Sequence, residues 1–339
     1  MNLDHSDGRQ AASGELSLVV GILTFRRPED LAASLPKVLE QTTRLLDARL
    51  GVTRTEVLVV DNDPAASAAD VVGGFATVRY VVESTPGIAA ARNRALDEAQ
   101  PAELLVFIDD DEEPGDDWLI PLVETWLATT PAAVMGRVQS HLPDGTDPWV
   151  VAGGFFTRRQ LPTGTEIDEA AAGNLLLDLG QVQRLGVRFA TELGLGGGED
   201  TLFSKQVTHR GGRIVWCNES VTHDFVDRDR ATRRWAMQRA WSHGNTRITI
   251  ERAFAATTAE RARVRLAAAF GGLARAVLGA MRAVFGIVTG SLHHRVRGAR
   301  AVSRGGGMFV GAFGVVFQEY VRPEAEPART THQGDGGLG

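Results

Sequence analysis

The stretch LLVFIDDDEEPGDDWL, residues 104–119, is the part of the 339-residue chain that says most about its fold. Five consecutive apolar residues lead directly into positions 109–117, of which seven are acidic. An unbroken apolar run of this length is typical of a strand buried on both faces of a parallel sheet. In such sheets ligands bind beyond the carboxyl ends of the strands, so we expect Asp109, Asp110 and Asp111 at a ligand-binding edge.

Strands and helices alternate along the chain on either side of this stretch. Apolar or periodic segments predict a strand, a helix, a strand, a short helix, a strand and a helix, with the strands at residues 16–25, 56–63 and 77–84 and the two longer helices at 28–46 and 87–99. The alternation predicts an α/β fold with a mainly parallel central sheet that helices cover on both faces. Thr24 and Asp61 end two of the predicted strands, which places them on the same edge as the acids.

The acid triplet 109–111 has the chemistry of a site for a hard divalent cation. Mg²⁺ and Mn²⁺ prefer oxygen ligands, and a bound cation would both relieve the repulsion and attract a diphosphate. The alternative is a helix whose acidic first turn complements the helix dipole. We assign that role to the four acids that follow the triplet, Glu112, Glu113, Asp116 and Asp117.

Three further features could carry chemistry, each with a simpler alternative. GGGED, residues 196–200, lets a backbone approach a ligand and supplies two acids, one of which could deprotonate a hydroxyl; alternatively Asp200 only caps a helix. Arg92 could contact a base or phosphate, or be an ordinary exposed arginine. His223, in VTHDF, could ligate a metal or be structural.

Taken in order, six fragments resemble the family 2 glycosyltransferases, of the non-processive bacterial type, which have the GT-A fold: VVGILTFRRPEDLAASL, VLVVDND, GIAAARNRAL, LLVFIDDDEEP, GGGEDTLFSKQVTHRGGRIVWC and VTHDF. The resemblance covers residues 16–246. It implies that a nucleotide-sugar lies across the N-terminal half, with Mn²⁺ or Mg²⁺ as cofactor. The nucleotide-sugar-binding residues that we assign on this basis are Thr24, Arg26, Asp61, Arg92, Asp109 and Asp110.

The same resemblance implies roles for the remaining site residues. Asp109 and Asp111 match the DXD motif, whose first acid faces the ribose and whose last acid binds the metal, with His223 near the metal or the diphosphate. Asp200 matches the general base of inverting members, and Glu199 lies beside it for the acceptor.

Two departures from the family pattern bear on the activity. The second predicted strand ends in DNDP (61–64) where the family has Asp-Asp-Gly-Ser, which weakens the expected base contact. The only counterpart of the Gln-x-x-Arg-Trp motif of processive synthases is RRW (233–235), which lacks the glutamine. We therefore expect transfer of a single sugar rather than polymer synthesis.

The C-terminal part differs in charge from the rest. Residues 261–304 hold nine arginines and no acid, a local charge of +9, which leaves −15 elsewhere from the net −6. On a helix Arg261, Arg265, Arg275 and Arg282 fall on one arc opposite large apolar residues, while no uninterrupted apolar run approaches the roughly 20 residues of a bilayer span. This pattern predicts either a helix on an anionic membrane surface or one packed on its own domain.

The predicted organisation is a flexible N-terminus (1–14), a GT-A domain (15–250), an amphipathic helical segment that meets the membrane (251–321) and a disordered tail (322–339). The lone Cys217 suits a reducing compartment, and residues 1–15 show no apolar signal region. We expect a cytoplasmic protein, peripheral on the inner face of the plasma membrane. The acidic net charge gives no reason to expect a nucleic-acid partner.

The predicted activity is metal-dependent, inverting transfer of one sugar from a UDP-, GDP- or dTDP-linked donor to a hydroxyl. A polyprenyl-linked acceptor in cell-surface glycan synthesis would suit the membrane location. Two alternatives stay open: a nucleotidyltransferase of related fold, although the loop TFRRPED (24–30) lacks the glycines it would need, and a non-catalytic membrane-attached scaffold. A dinucleotide-binding turn and a Walker sequence are both absent from the chain.

Overall fold

The structure is a computed structural model that describes residues 15–193 and 196–317. The predicted flexible N-terminus (1–14) and disordered tail (322–339) lie outside the described residues. Within the described ranges, nine strands form one sheet in the order β3-β2-β1-β4-β8-β6-β9-β5, with β7 beside β9. Their bounds are β1 Leu16–Thr24, β2 Val52–Asp61, β3 Val78–Val82, β4 Leu104–Asp109, β5 Glu112–Pro114, β6 Ala133–His141, β7 Glu166–Ile167, β8 Asn174–Asp178 and β9 Ile214–Phe225.

The N-terminal half of the sheet is parallel, as predicted. Strands β3, β2, β1 and β4 run in the same direction, and so do β6 and β9. Strand β8 runs antiparallel between β4 and β6, and β5 and β7 are antiparallel to β9. Most paired residues are therefore in parallel ladders, and the carboxyl ends of β1, β2 and β4 meet at one edge.

Helices cover both faces of this sheet. Their bounds are α1 Pro28–Asp47, α2 Ala69–Gly73, α3 Ile88–Glu98, α4 Leu119–Thr129, α5 Pro148–Gly153, α6 Leu179–Leu185, α7 Glu199–His209, α8 Arg233–Ala253, α9 Thr258–Val288 and α10 Leu292–Ala312. Buried residues of α1 and α4 join one core, and those of α3, α6 and α7 join the other.

Strand β4 shows why the opening sequence decides the fold. Its side chains alternate between the two cores, with Phe107 in one and Val106 in the other, and both are at most 1 % exposed. A strand with helices on both sides has no solvent face, so all five positions before Asp109 must be apolar.

The acids after the triplet do not begin a helix, contrary to our expectation. Residues 112–114 form β5, which pairs with β9, and α4 begins only at Leu119. Glu112 is buried and Glu113 pairs with Lys37 of α1. The ladder with β9 offers this segment more backbone hydrogen bonds than an isolated helical turn would.

Helices α9 and α10 form an antiparallel hairpin in which glycines make the contact. A Cβ atom at Gly272 would lie 2.7 Å from the carbonyl oxygen of Gly305, and one at Gly279 would lie 2.8 Å from that of Gly298. Gly286 is equally crowded, so the contact recurs every seven residues. Backbones can approach this closely only where side chains are absent, which fixes the register of the two helices.

Since glycines occupy the inner face of α9, its large apolar side chains point outward. Leu266, Phe270, Leu273, Val277, Met281 and Val284 are all 50–70 % exposed. Among the described residues α9 is the one helix long and apolar enough to cross a membrane, and only 17 % of its most apolar window is buried. Arginines interrupt every apolar run of α9, as the sequence shows, but they are few enough that the helix still passes by length and mean hydropathy.

Candidate functional site

Three parallel strands bring predicted site residues to one edge of the sheet. Thr24 is aligned with Asp61 across the β1–β2 ladder, and Leu23 is aligned with Asp109 across the β1–β4 ladder. Thr24 is 3 % exposed, and its hydroxyl lies close enough to the Asp110 carboxylate to lower the pKa of that group. The edge therefore joins Thr24 of β1 to the acid triplet that follows β4.

Asp61 is placed differently from what the resemblance implies. Its side chain is fully buried and accepts hydrogen bonds from the backbone amides of Asp63 and Ala68 and from the hydroxyl of Tyr80 (3.0, 2.8 and 2.8 Å). With these three donors the carboxylate holds the loop after β2 in shape. The structure therefore gives Asp61 a positioning role in this loop.

The loop that Asp61 organises carries an ion pair between an exposed arginine and a buried aspartate. Arg26 donates to Asp63 at 2.9 Å, and its backbone has a positive φ of 54°. The hydrogen bonds from Arg26 and the Ala65 amide outweigh burial, so the pKa of Asp63 lies below its usual value. Arg26 stays on the rim of the edge, where a donor nucleotide is expected.

Arg92 is also placed differently from what the sequence suggested. It is 4 % exposed and forms an ion pair with Glu199, which is 6 % exposed. Its guanidinium group lies 5.4 Å from the ring centre of Phe189. Arg92 lies on the buried face of α3, where its charge faces Glu199, Asp200 and Asp109.

The glycine loop delivers both of its acids to the same place. Gly198 adopts the left-handed conformation (φ 86°), and α7 then begins with Glu199 and Asp200. The Asp200 carboxylate accepts from the Thr201 backbone amide at 2.6 Å. Burial and the neighbouring Glu199 raise the pKa of Asp200, although Arg92 opposes this.

The acid triplet is crowded and largely buried. Burial, with Asp111 and Asp200 nearby, raises the pKa of Asp109 to about 6 against the opposing charge of Arg92. Burial, together with the charges of Asp111 and Asp109, raises the pKa of Asp110 to about 7, although the positive charge of Arg27 opposes this. Asp109 therefore shares its electrostatic environment with both Arg92 and Asp200, which joins the triplet to the glycine loop.

Sequence reasoning missed Glu112 as a member of this site. Glu112 is 5 % exposed and accepts a hydrogen bond from the Thr222 hydroxyl at 2.7 Å. A Cβ atom at Gly173 would lie 2.8 Å from Glu112 Oε1 and 2.9 Å from Asp109 Oδ2. Gly173 thus leaves the space between two carboxylates open, and burial together with the charge of Asp109 raises the pKa of Glu112 well above its ordinary value.

The structure does not bring His223 to the acids. Its Nδ1 lies 2.9 Å from Nε2 of His141, and burial and His141 lower its pKa while Glu113 opposes. Side chains alternate along β9, so Thr222 and Asp224 face the site and His223 faces away. Asp224 pairs with Arg158 at 2.7 Å, and counting this alternation would have favoured Asp224 over His223 from sequence.

The donor atoms around Asp109 fit a hard divalent cation in their chemistry. Asp111 is close enough to Asp109 and Glu112 to raise the pKa of both, and Gly173 leaves room between the carboxylates of Asp109 and Glu112. Within residues 15–193 and 196–317, however, no three His, Cys, Asp or Glu side chains are arranged as metal ligands. Asp111 is instead held by two arginines, Arg27 and Arg230, at 2.9 and 3.3 Å.

Comparison with known proteins identifies related sequences. A family model described as Glycosyl transferase family 2 matches residues 19–180. The succinoglycan biosynthesis protein ExoM of Rhizobium meliloti (strain 1021) is 34 % identical over 248 residues, which covers 70 % of this chain and 77 % of that protein.

Solved structures show only distant similarity. One is the crystal structure of GalNAc-T7 with UDP, GalNAc and Mn²⁺, which is 16 % identical with a TM-score of 0.49 over 63 % of this chain and 44 % of that one. Another is S. aureus TarS 1–349, which is 13 % identical with a TM-score of 0.48 over 85 % of this chain and 90 % of that one. Similarity at this level carries no argument about ligands.

Proposed function

The chain belongs to glycosyl transferase family 2 and is a glycosyltransferase, and from this premise we propose that it moves one sugar from a nucleotide-sugar to an acceptor hydroxyl with inversion. The observation that carries the proposal is the meeting of Asp109, Arg92, Glu199 and Asp200 at one sheet edge. The nucleotidyltransferase and scaffold alternatives do not fit the family.

Asp200 is the general base in this proposal, and Glu199 is not. Glu199 is committed to the ion pair with Arg92, whereas the Asp200 carboxylate is bonded only within its own turn. Burial and the neighbouring Glu199 raise the pKa of Asp200, which makes its carboxylate a stronger proton acceptor. Asp200 takes the proton of the acceptor hydroxyl, whose oxygen attacks the anomeric carbon as the nucleotide departs from the opposite face.

The N-terminal edge binds the donor. Thr24 contributes its buried hydroxyl beside Asp110 and Arg26 its exposed guanidinium, while Asp61 keeps the loop in position. Asp109, Glu112 and Asp111 would hold Mg²⁺ or Mn²⁺, which supplies positive charge for the departing diphosphate. The nucleotide is a diphosphate of uridine, guanosine or thymidine.

We extend the proposal to polysaccharide assembly, because the 34 % identical relative is named for succinoglycan biosynthesis. The acceptor is then a lipid-linked glycan precursor on the cytoplasmic face of the membrane. The outward apolar face of α9 and its flanking arginines support this, since such a face is exposed to water in the isolated chain. Arg252, Arg261 and Arg265 also line a groove of about 550 Å³ beside that face.

A transfer assay tests the catalytic part. The wild-type chain is first screened by thermal shift with UDP, GDP and dTDP in Mn²⁺, and the matching nucleotide-sugars are then offered with acceptors. We expect Asp200→Asn to abolish transfer while nucleotide affinity stays within about threefold, since the base does not contact the nucleotide. Asp97→Asn, an exposed acid on α3, is the matched control and should keep full activity. Near-normal turnover by Asp200→Asn would refute the assignment, and retention of anomeric configuration would refute inversion.

Vesicle flotation tests the membrane part. We expect the chain to float with phosphatidylglycerol vesicles at low salt and less with phosphatidylcholine vesicles. Phe270→Glu with Met281→Glu should abolish flotation, because both side chains are more than 60 % exposed on α9. Leu127→Glu, on the exposed part of α4, should not. A chain that stays in the soluble fraction with anionic vesicles contradicts the proposal, and resistance to alkaline extraction would show that α9 spans the bilayer.

A further inference from the structure

Two arginines from separate loops converge on Asp111. Nη1 of Arg27 lies 2.9 Å from Asp111 Oδ2 and 3.2 Å from Asp110 Oδ1. Nη1 of Arg230 lies 3.3 Å from the same Asp111 oxygen. Arg27 ends the loop between β1 and α1, and Arg230 lies in the loop between β9 and α8. We call these two residues the Asp111 clamp.

The clamp residues are accessible, which sets them apart from Arg92. Their side chains are 47 % and 29 % exposed, against 5 % for Arg92, and Asp111 itself is 25 % exposed. Hydrogen bonds between charged groups at such exposure are exchanged easily, because water and ions compete for both partners. The ring of Trp235 lies 5.5 Å from the Arg230 guanidinium and gives that group a second support when it leaves the carboxylate.

We propose that the two clamp arginines change partners during donor binding. Arg27 and Arg230 neutralise Asp111 until a divalent cation binds there, and they then bind the diphosphate of the donor. The inference rests on the proposed function, because it needs a nucleotide donor. Asp111 cannot serve both partners, since a cation on its carboxylate repels two guanidinium groups a few ångströms away. Diphosphate oxygens are the preferred alternative acceptors for guanidinium groups, which bind them in a bidentate manner.

The proposal explains why the acids are not arranged as metal ligands in the described residues. While Asp111 is bonded to both arginines, it cannot join Asp109 and Glu112 around a cation. A permanent structural ion pair would account for the same contacts. The two explanations predict opposite changes in metal affinity when a clamp arginine is removed. Removing a competitor of the cation strengthens metal binding, whereas removing a structural support weakens it.

The experiment measures two affinities in Arg27→Gln, Arg230→Gln and the wild-type chain. Mn²⁺ alone is titrated and free Mn²⁺ is followed by electron paramagnetic resonance. Nucleoside diphosphate binding is then measured by calorimetry at saturating Mg²⁺, with whichever of UDP, GDP and dTDP the wild type binds most tightly. Arg44→Gln is the matched control, because Arg44 is on α1, is 44 % exposed and pairs with Glu40 away from the site.

We expect opposite changes in the two affinities. Each clamp variant should bind Mn²⁺ alone about threefold more tightly, because one competing charge is gone. Each should bind the nucleoside diphosphate about tenfold more weakly, because a charge-assisted hydrogen bond is lost. The Arg44→Gln chain should match the wild type in both. If Arg27→Gln does not fold, Arg230→Gln tests the same sign on an independent loop.

Other outcomes overturn the inference. Unchanged or weaker Mn²⁺ binding in the clamp variants shows a structural pair, and unchanged nucleotide affinity shows that the arginines do not reach the diphosphate. A wild-type chain that binds none of the three nucleotides refutes the proposed function itself. A wild type that binds one of them, with clamp variants that show no change, refutes only the clamp.

Discussion

The buried ion pair between Arg92 and Glu199 makes a quantitative prediction about stability. The two side chains are only 5 % and 8 % exposed, so Arg92→Met leaves the Glu199 carboxylate buried without its counter-charge. Removing one partner of such a pair typically costs about 3–5 kcal/mol, and we expect a loss of that size here. Glu199→Leu should cost less, about 1–3 kcal/mol, because Asp109 and Asp200 still face the Arg92 charge.

The double variant Arg92→Met with Glu199→Leu should recover most of this loss. The pair is not fully satisfied, since Nε of Arg92 and Oε2 of Glu199 are buried without hydrogen-bond partners in the part of the chain that the structure describes. Each such atom costs about 1–3 kcal/mol, so two apolar side chains of similar volume are nearly equivalent in stability. We expect the double variant within about 1 kcal/mol of the wild type, yet inactive in transfer.

Urea unfolding followed by the fluorescence of the six tryptophans measures all four chains. The exposed pair of Arg188 and Asp97, whose side chains are 51 % and 60 % exposed, is the control. Arg188→Met with Asp97→Leu should change stability by less than about 1 kcal/mol, alone or together. A double variant at Arg92 and Glu199 that loses the sum of its single losses would refute the reasoning, because the two charges would then act independently.

Three further predictions concern charge, packing and the loop after β2. In EDTA, Asp110→Asn should become more stable relative to the wild type as pH rises from about 5 to 8 in a thermal-unfolding series. The pKa of Asp110 is about 7 in the folded protein and about 3.9 in the unfolded chain, so the folded wild type loses the proton that stabilises it over this range. A stability difference that does not change with pH would contradict this prediction. Gly272→Ala should lower the free energy of unfolding in denaturant by at least about 2 kcal/mol, because its Cβ would lie 2.7 Å from a backbone oxygen. Gly271→Ala, whose Cβ would lie 4.0 Å from its nearest neighbour, should raise the free energy of unfolding by about 0.5–1 kcal/mol. Tyr80→Phe should lower the free energy of unfolding by about 1–3 kcal/mol in the same measurement, because it removes a hydrogen-bond donor from the buried Asp61 carboxylate. An unchanged free energy of unfolding would mean that Asp61 does not depend on the Tyr80 hydroxyl.

The edge of the sheet was predictable because it follows from topology. An apolar run such as 104–108 identifies a doubly covered strand, and parallel strands bring their carboxyl ends together whatever the sequence between them. Thr24 and Asp109 therefore fall where we expected. The glycine loop was also predictable, since three glycines before two acids mark a backbone turn that precedes a helix.

Side-chain environment was not predictable in the same way. Whether Arg92 is exposed depends on which face of α3 packs inward, and six small or apolar residues around it left that open. The hydrogen bond from Tyr80 to Asp61 could not be predicted, because only the folded sheet brings β3 beside β2. Glu112 was assigned to a helix because its partner strand β9 lies more than a hundred residues away.

The glycine hairpin has a mechanical consequence. Because the backbones of α9 and α10 touch at intervals of seven residues, the two helices cannot slide or tilt independently. The hairpin is fastened in turn to α8, where Cβ atoms at Gly244 and Gly307 would lie 2.1 Å from the carbonyl oxygens of Arg304 and Trp241. Since α8 begins three residues after Arg230, this close helix packing extends from α9 and α10 to the loop whose arginine contacts Asp111.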